Sequence, residues 1–187
     1  MEPDVVHSAR QGNQAAWSTL VQEHQEGVFR LAYLLVGDAD EAEDIAQEVF
    51  IRAFRMLHRF DPARPLRPWL LRITSNLARN HLRSAGRYLG ALRRLSRADS
   101  DQKVASAEQE QWQQWEVQAL WRAVRRLSVK DQQVIYLRFF LDLSLADVAE
   151  TLGIPSGTVK SRLHRALARL RAILEQEFPM LWEERTP

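Results

Sequence analysis

Leu145-Ala146-Asp147-Val148-Ala149-Glu150-Thr151-Leu152-Gly153-Ile154-Pro155-Ser156-Gly157-Thr158-Val159-Lys160-Ser161-Arg162-Leu163-His164-Arg165-Ala166-Leu167-Ala168-Arg169-Leu170 decides how the C-terminal part of the chain folds. Leu145, Val148, Ala149 and Leu152 fall on one face of a short helix. Gly153 then supplies the open turn that lets a second helix cross the first, and Pro155 suits the first position of that second helix. On the second helix Val159, Leu163, Ala166, Leu167 and Leu170 make a single apolar stripe. The stripe leaves Gly157, Ser161, His164 and Arg165 outward, with Lys160 and Arg162 on the flanks. That face is basic and free of acid, which suits entry into the major groove of duplex DNA. A helical hairpin that merely packs is the alternative, and it leaves the basic face unexplained.

Outward from this unit, the apolar spacing is helical almost throughout, and only seven glycines and seven prolines interrupt it. No strand alternation stands out. With 187 residues and 45% apolar content, the chain is long enough for one sizeable core or two modest ones. The expected architecture is all-α: two small helical domains joined by a flexible linker, the C-terminal one holding the helix-turn-helix. The chain has no cysteine, which excludes a disulfide framework, a thiolate metal site and a thiol switch. No apolar run approaches the roughly 20 residues that span a bilayer, and the N-terminus is acidic and polar rather than signal-like. A cytoplasmic protein without membrane insertion is expected.

The net charge of +2 hides a strong segregation. Asp38 to Phe50 carries six acidic residues and no basic one, whereas Arg52 to Arg94 carries eleven arginines against Asp61 alone. A block of that sign points to a polyanion partner, since each phosphate contact releases counterions. The first lobe reads as three main helices. Trp17, Leu20, Val21, Val28, Leu31 and Ala32 give the first stripe; a second helix spans about Ala39 to Phe60; a third runs from Trp69 to about Arg83. Ala42, Ile45, Ala46, Val49 and Ala53 form the buried side of the second helix, which puts Asp44, Gln47, Glu48 and Ile51 on or near its other side. An acidic face bearing an exposed isoleucine suits a protein interface better than DNA. On the third helix Leu70, Ile73 and Leu77 face inward, while Arg72, Asn76, Arg79 and Arg83 form a strip with Asn80 beside them, residues suited to phosphates and base edges. The proline-rich loop Asp61-Pro62-Ala63-Arg64-Pro65-Leu66-Arg67-Pro68 carries Phe60 and Trp69 at its ends, which either hold an unstacked base or belong to the core. Arg138, in Tyr136-Leu137-Arg138-Phe139-Phe140, is a further candidate for phosphate or base contact.

Asp40-Glu41-Ala42-Glu43-Asp44-Ile45-Ala46-Gln47-Glu48-Val49-Phe50, Arg67-Pro68-Trp69-Leu70-Leu71-Arg72-Ile73 and Gly157-Thr158-Val159-Lys160-Ser161-Arg162-Leu163-His164-Arg165-Ala166 together resemble the bacterial extracytoplasmic-function sigma factors, the minimal branch of the sigma-70 family. The resemblance covers about Ala15 to Arg83 and Ala119 to Leu174. It implies an N-terminal extension at 1–14, sigma region 2 at 15–83, a linker at 84–115, sigma region 4 at 116–174 and a C-terminal tail at 175–187. It places Asp44, Gln47, Glu48 and Ile51 against the clamp helices of the polymerase largest subunit. Phe60, Arg64, Arg67, Trp69, Arg72, Asn76, Arg79, Asn80 and Arg83 fall where the family reads and opens the minus-ten element. Arg138, Gly157, Thr158, Lys160, Ser161, Arg162, His164 and Arg165 fall where it reads the minus-thirty-five element. Implied partners are bacterial RNA polymerase core, through its clamp helices and flap, promoter DNA, and an anti-sigma factor. Chemistry is left to the polymerase, so no catalytic residue, metal or cofactor is implied. Asn80 stands where many members carry aspartate, which bears on minus-ten preference. The tail, with Phe178, Met180, Leu181 and Trp182, is suited to pack back on the second lobe or to meet a partner.

Two competing functions remain at this stage. A stand-alone regulator would bind an operator tightly without polymerase, usually as a symmetric dimer. A carboxylate metalloenzyme would use Asp38, Asp40, Glu41, Asp44 and Glu48, although these lie on a regular helix without interleaved histidine rather than in an enveloping loop.

Overall fold

The computed structural model describes residues 2–92 and 108–179, and every regular element among them is helical. The elements are α1 (Glu2–Arg10), α2 (Gln14–Val36), α3 (Ala39–Met56), α4 (Leu66–Leu92), α5 (Glu108–Arg126), α6 (Val129–Ile135), α7 (Leu145–Leu152) and α8 (Ser156–Glu177). A single 3-10 turn at Leu57–Arg59 follows α3, and α6 continues as a π-helical turn over Tyr136–Phe140.

Local chemistry sets most of the boundaries. Asn13 Oδ1 accepts from the Ala16 amide to start α2, and Asp38 Oδ1 accepts from the Glu41 amide to start α3. Asp40 and Glu41 occupy the first turn of α3, where the helix dipole favours carboxylates. Gly37 ends α2 at φ 84°, a left-handed cap that a side chain would strain. Ser128 and Ser144 cap α6 and α7 in the same way.

Helices α2, α3 and α4 enclose the first core: Leu20, Val28, Leu31 and Ala32 meet Ala42, Ile45, Val49 and Ala53 and then Leu66, Leu70, Leu71 and Ala78. Each fully buried leucine here contributes about 2 kcal/mol of apolar burial. In the second lobe Ala123, Val124 and Leu127 of α5, Val134 and Ile135 of α6, Val148 of α7, and Val159, Ala166 and Leu170 of α8 are buried together. The lobes also touch: α4 packs on α7 and α2 on α6, so one continuous apolar cluster runs through both.

Several boundaries differ from the sequence reading. The segment taken as an N-terminal extension forms α1, which seats Val6 and Ala9 in the first core. Helix α3 ends at Met56, not Phe60, because the chain tightens into the 3-10 turn. Helix α4 starts at Leu66, three residues before Trp69, since Pro68 falls in the first turn, where a missing N–H costs nothing. It then runs past Arg83 to Leu92, while α5 begins at Glu108, so both ends of the expected linker are helical. Residues 93–107 lie outside the described residues, as does the tail from Met180. Glu175 to Glu177 belong to α8, and Phe178 packs edge-on against Trp115 at 6.2 Å. Pro155 is the residue before α8 rather than its first, and Leu167 lies 39% exposed, off the stripe formed by Val159, Ala166 and Leu170.

Candidate nucleic-acid interface

Helices α7 and α8 form the helix-turn-helix. Ser144 fixes the entry to α7: its hydroxyl accepts from the Asp147 amide at 3.1 Å and donates to the Asp147 carboxylate at 2.6 Å. Gly153 turns the chain at φ 64°, and Val159, fully buried, seats the first turns of α8. Gly157, Lys160, Ser161, His164 and Arg165 are exposed, and Thr158 and Arg162 are half-buried at the edges. Arg165 is exposed, and its Nε donates to the Ser161 carbonyl at 3.1 Å. The face therefore presents cations and hydroxyls on a helix whose opposite side is locked into the core.

That lock has a polar part which the sequence did not disclose. Asp131, on the first turn of α6, has a buried carboxylate, and Arg169 of α8 donates to it at 2.6 Å. The pair ties the recognition helix to the lobe across 38 residues of sequence, a separation no local pattern reveals. Arg138 is less available than expected: it donates to the Leu143 carbonyl at 3.1 Å and approaches Asp142 Oδ1 at 3.4 Å, holding the loop before α7. Asp142 is the one described non-glycine residue at positive φ, 52°.

On α4, Asn76, Asn80 and Arg83 are exposed. Arg79 Nη2 donates to Asn76 Oδ1 at 2.7 Å, so these two act as one preset group. Phe60 is 6% exposed and stacks at a tilt on Trp69, 4.8 Å between centroids; Phe60 belongs to the core, and Trp69, half-buried, packs against it. Arg64, Arg67 and Arg72 point toward the second lobe: Arg64 lies 3.6 Å from Glu150, Arg67 donates to the Leu141 carbonyl at 2.9 Å, and Arg72 covers Gly153.

On α3, Asp44 and Gln47 are exposed, Glu48 pairs with Arg52, and Ile51 is 46% exposed. Phe54 and Met56 extend that apolar surface, a feature the sequence reading left out because it stopped at Ile51. The carboxylates have separate duties: Asp38 caps α3 and Glu41 faces His81 of α4 at 3.0 Å. Among the described residues, no three acidic or histidine side chains come together as a metal-holding group. No described helix is long and apolar enough to cross a membrane.

Comparison with known proteins agrees with this layout. The sigma-70 region 2 model matches residues 20–88, and the sigma-70 region 4 model matches residues 117–170. The ECF RNA polymerase sigma factor SigW of Bacillus subtilis is 33% identical, with 89% of this chain and 92% of that protein covered. SigL of Mycobacterium tuberculosis is 35% identical, covering 91% of this chain and 96% of that one. Among solved structures, CnrH in complex with the cytosolic domain of CnrY matches with a TM-score of 0.69 at 26% identity, covering 93% of this chain and 97% of that chain. The sigma factor RpoE of Bartonella quintana, in complex with the anti-sigma factor NepR, matches at 0.64 and 25% identity, covering 85% and 96%. With two family models in order and relatives matched over nearly their whole length, the chain belongs to the ECF RNA polymerase sigma factors of the sigma-70 family.

Proposed function

We propose that this sigma factor, which directs bacterial RNA polymerase to promoters, divides the work among three faces. The α3 face of Asp44, Gln47 and Ile51, with Glu48 at its edge, docks on the clamp helices of the polymerase largest subunit. The α4 strip of Asn76, Arg79, Asn80 and Arg83, with Arg64, Arg67 and Arg72, engages the minus-ten element and assists its opening. The α8 face of Gly157, Thr158, Lys160, Ser161, Arg162, His164 and Arg165 reads the minus-thirty-five duplex, and Arg138 supports it mainly by shaping the adjoining loop. Region 2 then corresponds to 15–83, the linker to 84–115 and region 4 to 116–174.

The observation that carries this reading is the exposed, acid-free face of α8 on a helix held by Val159, Ala166 and Leu170. Lysine and arginine there can donate to guanine edges and phosphates at once. The acidic, apolar character of α3 is unsuited to DNA and suited to a protein partner. Catalysis belongs to the polymerase in this account, so the chain needs no cofactor, and it works in the cytoplasm, where the polymerase is. Relatives solved with CnrY or NepR support an anti-sigma factor as a further partner.

Footprinting on a promoter tests the reading. With core polymerase present, the chain should protect two upstream elements at fixed spacing. Tight, specific protection by the chain alone, as a dimer on symmetric half-sites, would favour a stand-alone regulator instead.

A further inference from the structure

Helices α2 and α5 leave a cleft of about 540 Å³ between them, lined by Tyr33, Gly37, Gln118, Trp121, Arg122 and Arg125. Its walls are aromatic and its rim is cationic. Tyr33 is 45% exposed and stacks on Phe29, itself exposed, with 6.2 Å between centroids and 9° between ring planes. Trp121 packs on Phe140 at 5.0 Å and is half-buried, so part of its ring still borders the cleft. Arg122 and Arg125 are both exposed, and the Arg125 guanidinium lies over Gly37 at the end of α2. None of these residues belongs to the three faces assigned above. Neighbouring aromatic surfaces left open to water are the usual mark of an apolar partner.

The chain itself supplies such a segment. At the end of α8, Phe178 leaves helical geometry at φ −136° and ψ 55° and sets its ring edge-on to Trp115 of α5 at 6.2 Å, while Glu177 pairs with Arg126 of α5 at 3.2 Å. Pro179 then keeps the helix from resuming. The tail therefore departs against α5. Arg122 lies two turns beyond Trp115 on the same face of that helix, and Trp121 about 9 Å along the axis. Met180 to Pro187, outside the described residues, could span roughly 26 Å when extended, so the cleft is well within reach. The order of the tail also fits: Met180, Leu181 and Trp182 are apolar, Glu183 and Glu184 are acidic, and Arg185 is its one cation. We propose that the cleft between α2 and α5 is the seat of this C-terminal tail, with Trp182 between Tyr33 and Trp121 and the two glutamates at Arg122. A tethered segment meets the cleft at high effective concentration, and its acids complement the rim. A second copy packed by the same face would instead set Arg122 and Arg125 against their own counterparts. Seated in this way, the tail ties α5 to α2 and takes the ring faces of Tyr33 and Trp121 out of water.

The test uses the full chain, which has no cysteine, so that an introduced pair of thiols reports without competition. Glu183→Cys with Gln118→Cys places one thiol beside Trp182 and the other in the cleft. Glu183→Cys with Ala172→Cys is the control, since Ala172 is exposed on α8 shortly before Phe178 and lies equally within the tail's reach. In a glutathione buffer the first pair should close within the chain about ten-fold faster than the second, the ratio that about 1.4 kcal/mol of docking corresponds to. Adding Trp182→Ala should bring the two rates together. Adding Arg122→Glu instead should shrink the difference by up to about five-fold, the upper end of what an exposed ion pair yields. Equal rates in the two parent pairs, or a preference that survives Trp182→Ala, would overturn the proposal. So would disulfide-linked dimers in place of the internal bond, which would give the cleft to a second copy.

Discussion

Replacing Lys160 and Arg165 together by alanine should disconnect promoter recognition from polymerase binding. Both side chains are exposed on α8, and Arg165 Nε donates to the Ser161 carbonyl within the same helix. The fold should therefore lose no more than about 0.5 kcal/mol, the usual cost of a surface change, and alanine's high helix propensity offsets part of it. A specific base contact is worth about 1–3 kcal/mol and a phosphate contact shifts the salt dependence by about one unit of slope. One of each makes the expected loss about 2–4 kcal/mol, or roughly 30- to 1,000-fold in affinity for the upstream duplex. The assay is holoenzyme binding to promoter duplexes with and without the upstream element, titrated over salt, beside a separate measurement of chain binding to core. The variant should bind core as the wild type does, lose the advantage conferred by the upstream element, and show a shallower salt slope. Equal loss of core binding, or no loss of upstream recognition, would refute the assignment of α8.

The other expectations concern different faces. Ile51→Asp places a charge on a 46% exposed position, so folding should change by less than about 0.5 kcal/mol while affinity for core falls by about ten-fold or more, as titration with labelled core would show. Arg169→Met leaves the Asp131 carboxylate buried without its cation and should cost about 2 kcal/mol in urea unfolding; Asp131→Asn in the same chain should recover part of that loss. Burial pushes the Tyr136 phenol up to about 12 from its ordinary 10, opposed by Arg125. Its folded value lies above its unfolded one, so its contribution is complete below about pH 10 and drains away as pH rises through 12, up to roughly 3 kcal/mol. Tyr136→Phe should abolish that alkaline decline, and at neutral pH it should alter stability by about 1 kcal/mol at most, since the buried hydroxyl has no hydrogen-bond partner among the described residues.

What the sequence disclosed follows the range over which each signal acts. Gly153, Pro155 and the stripe from Val159 to Leu170 are local, and they placed the helix-turn-helix and its basic face within a residue. The alternation of Ala42, Ile45, Val49 and Ala53 against Asp44, Gln47 and Ile51 likewise sorted buried from exposed on α3. Local signals misled where composition and packing disagree. Pro65 and Pro68 suggested a loop, yet Pro68 fits the first turn of α4. A linker is expected from Ser84 onward, yet α4 continues through that start to Leu92. Residues 1–14 read as an extension, yet they hold α1, whose Val6 and Ala9 announce themselves only once a receiving core exists. For Phe60 the sequence leaves base contact and core both open, since nothing near it shows that its side chain is buried. Least visible were contacts between distant segments: Asp131 with Arg169, Arg67 with Leu141, Arg72 over Gly153. These depend on how the lobes meet, and no periodicity encodes that.

The most direct test of the central claim is transcription in vitro from a promoter library by bacterial core polymerase, with and without this chain, with every new start site mapped. New starts should share two upstream motifs at fixed spacing and should disappear when Ile51→Asp replaces the wild type. An active core that gains no start site from the chain, in a preparation free of inhibitor, would contradict it.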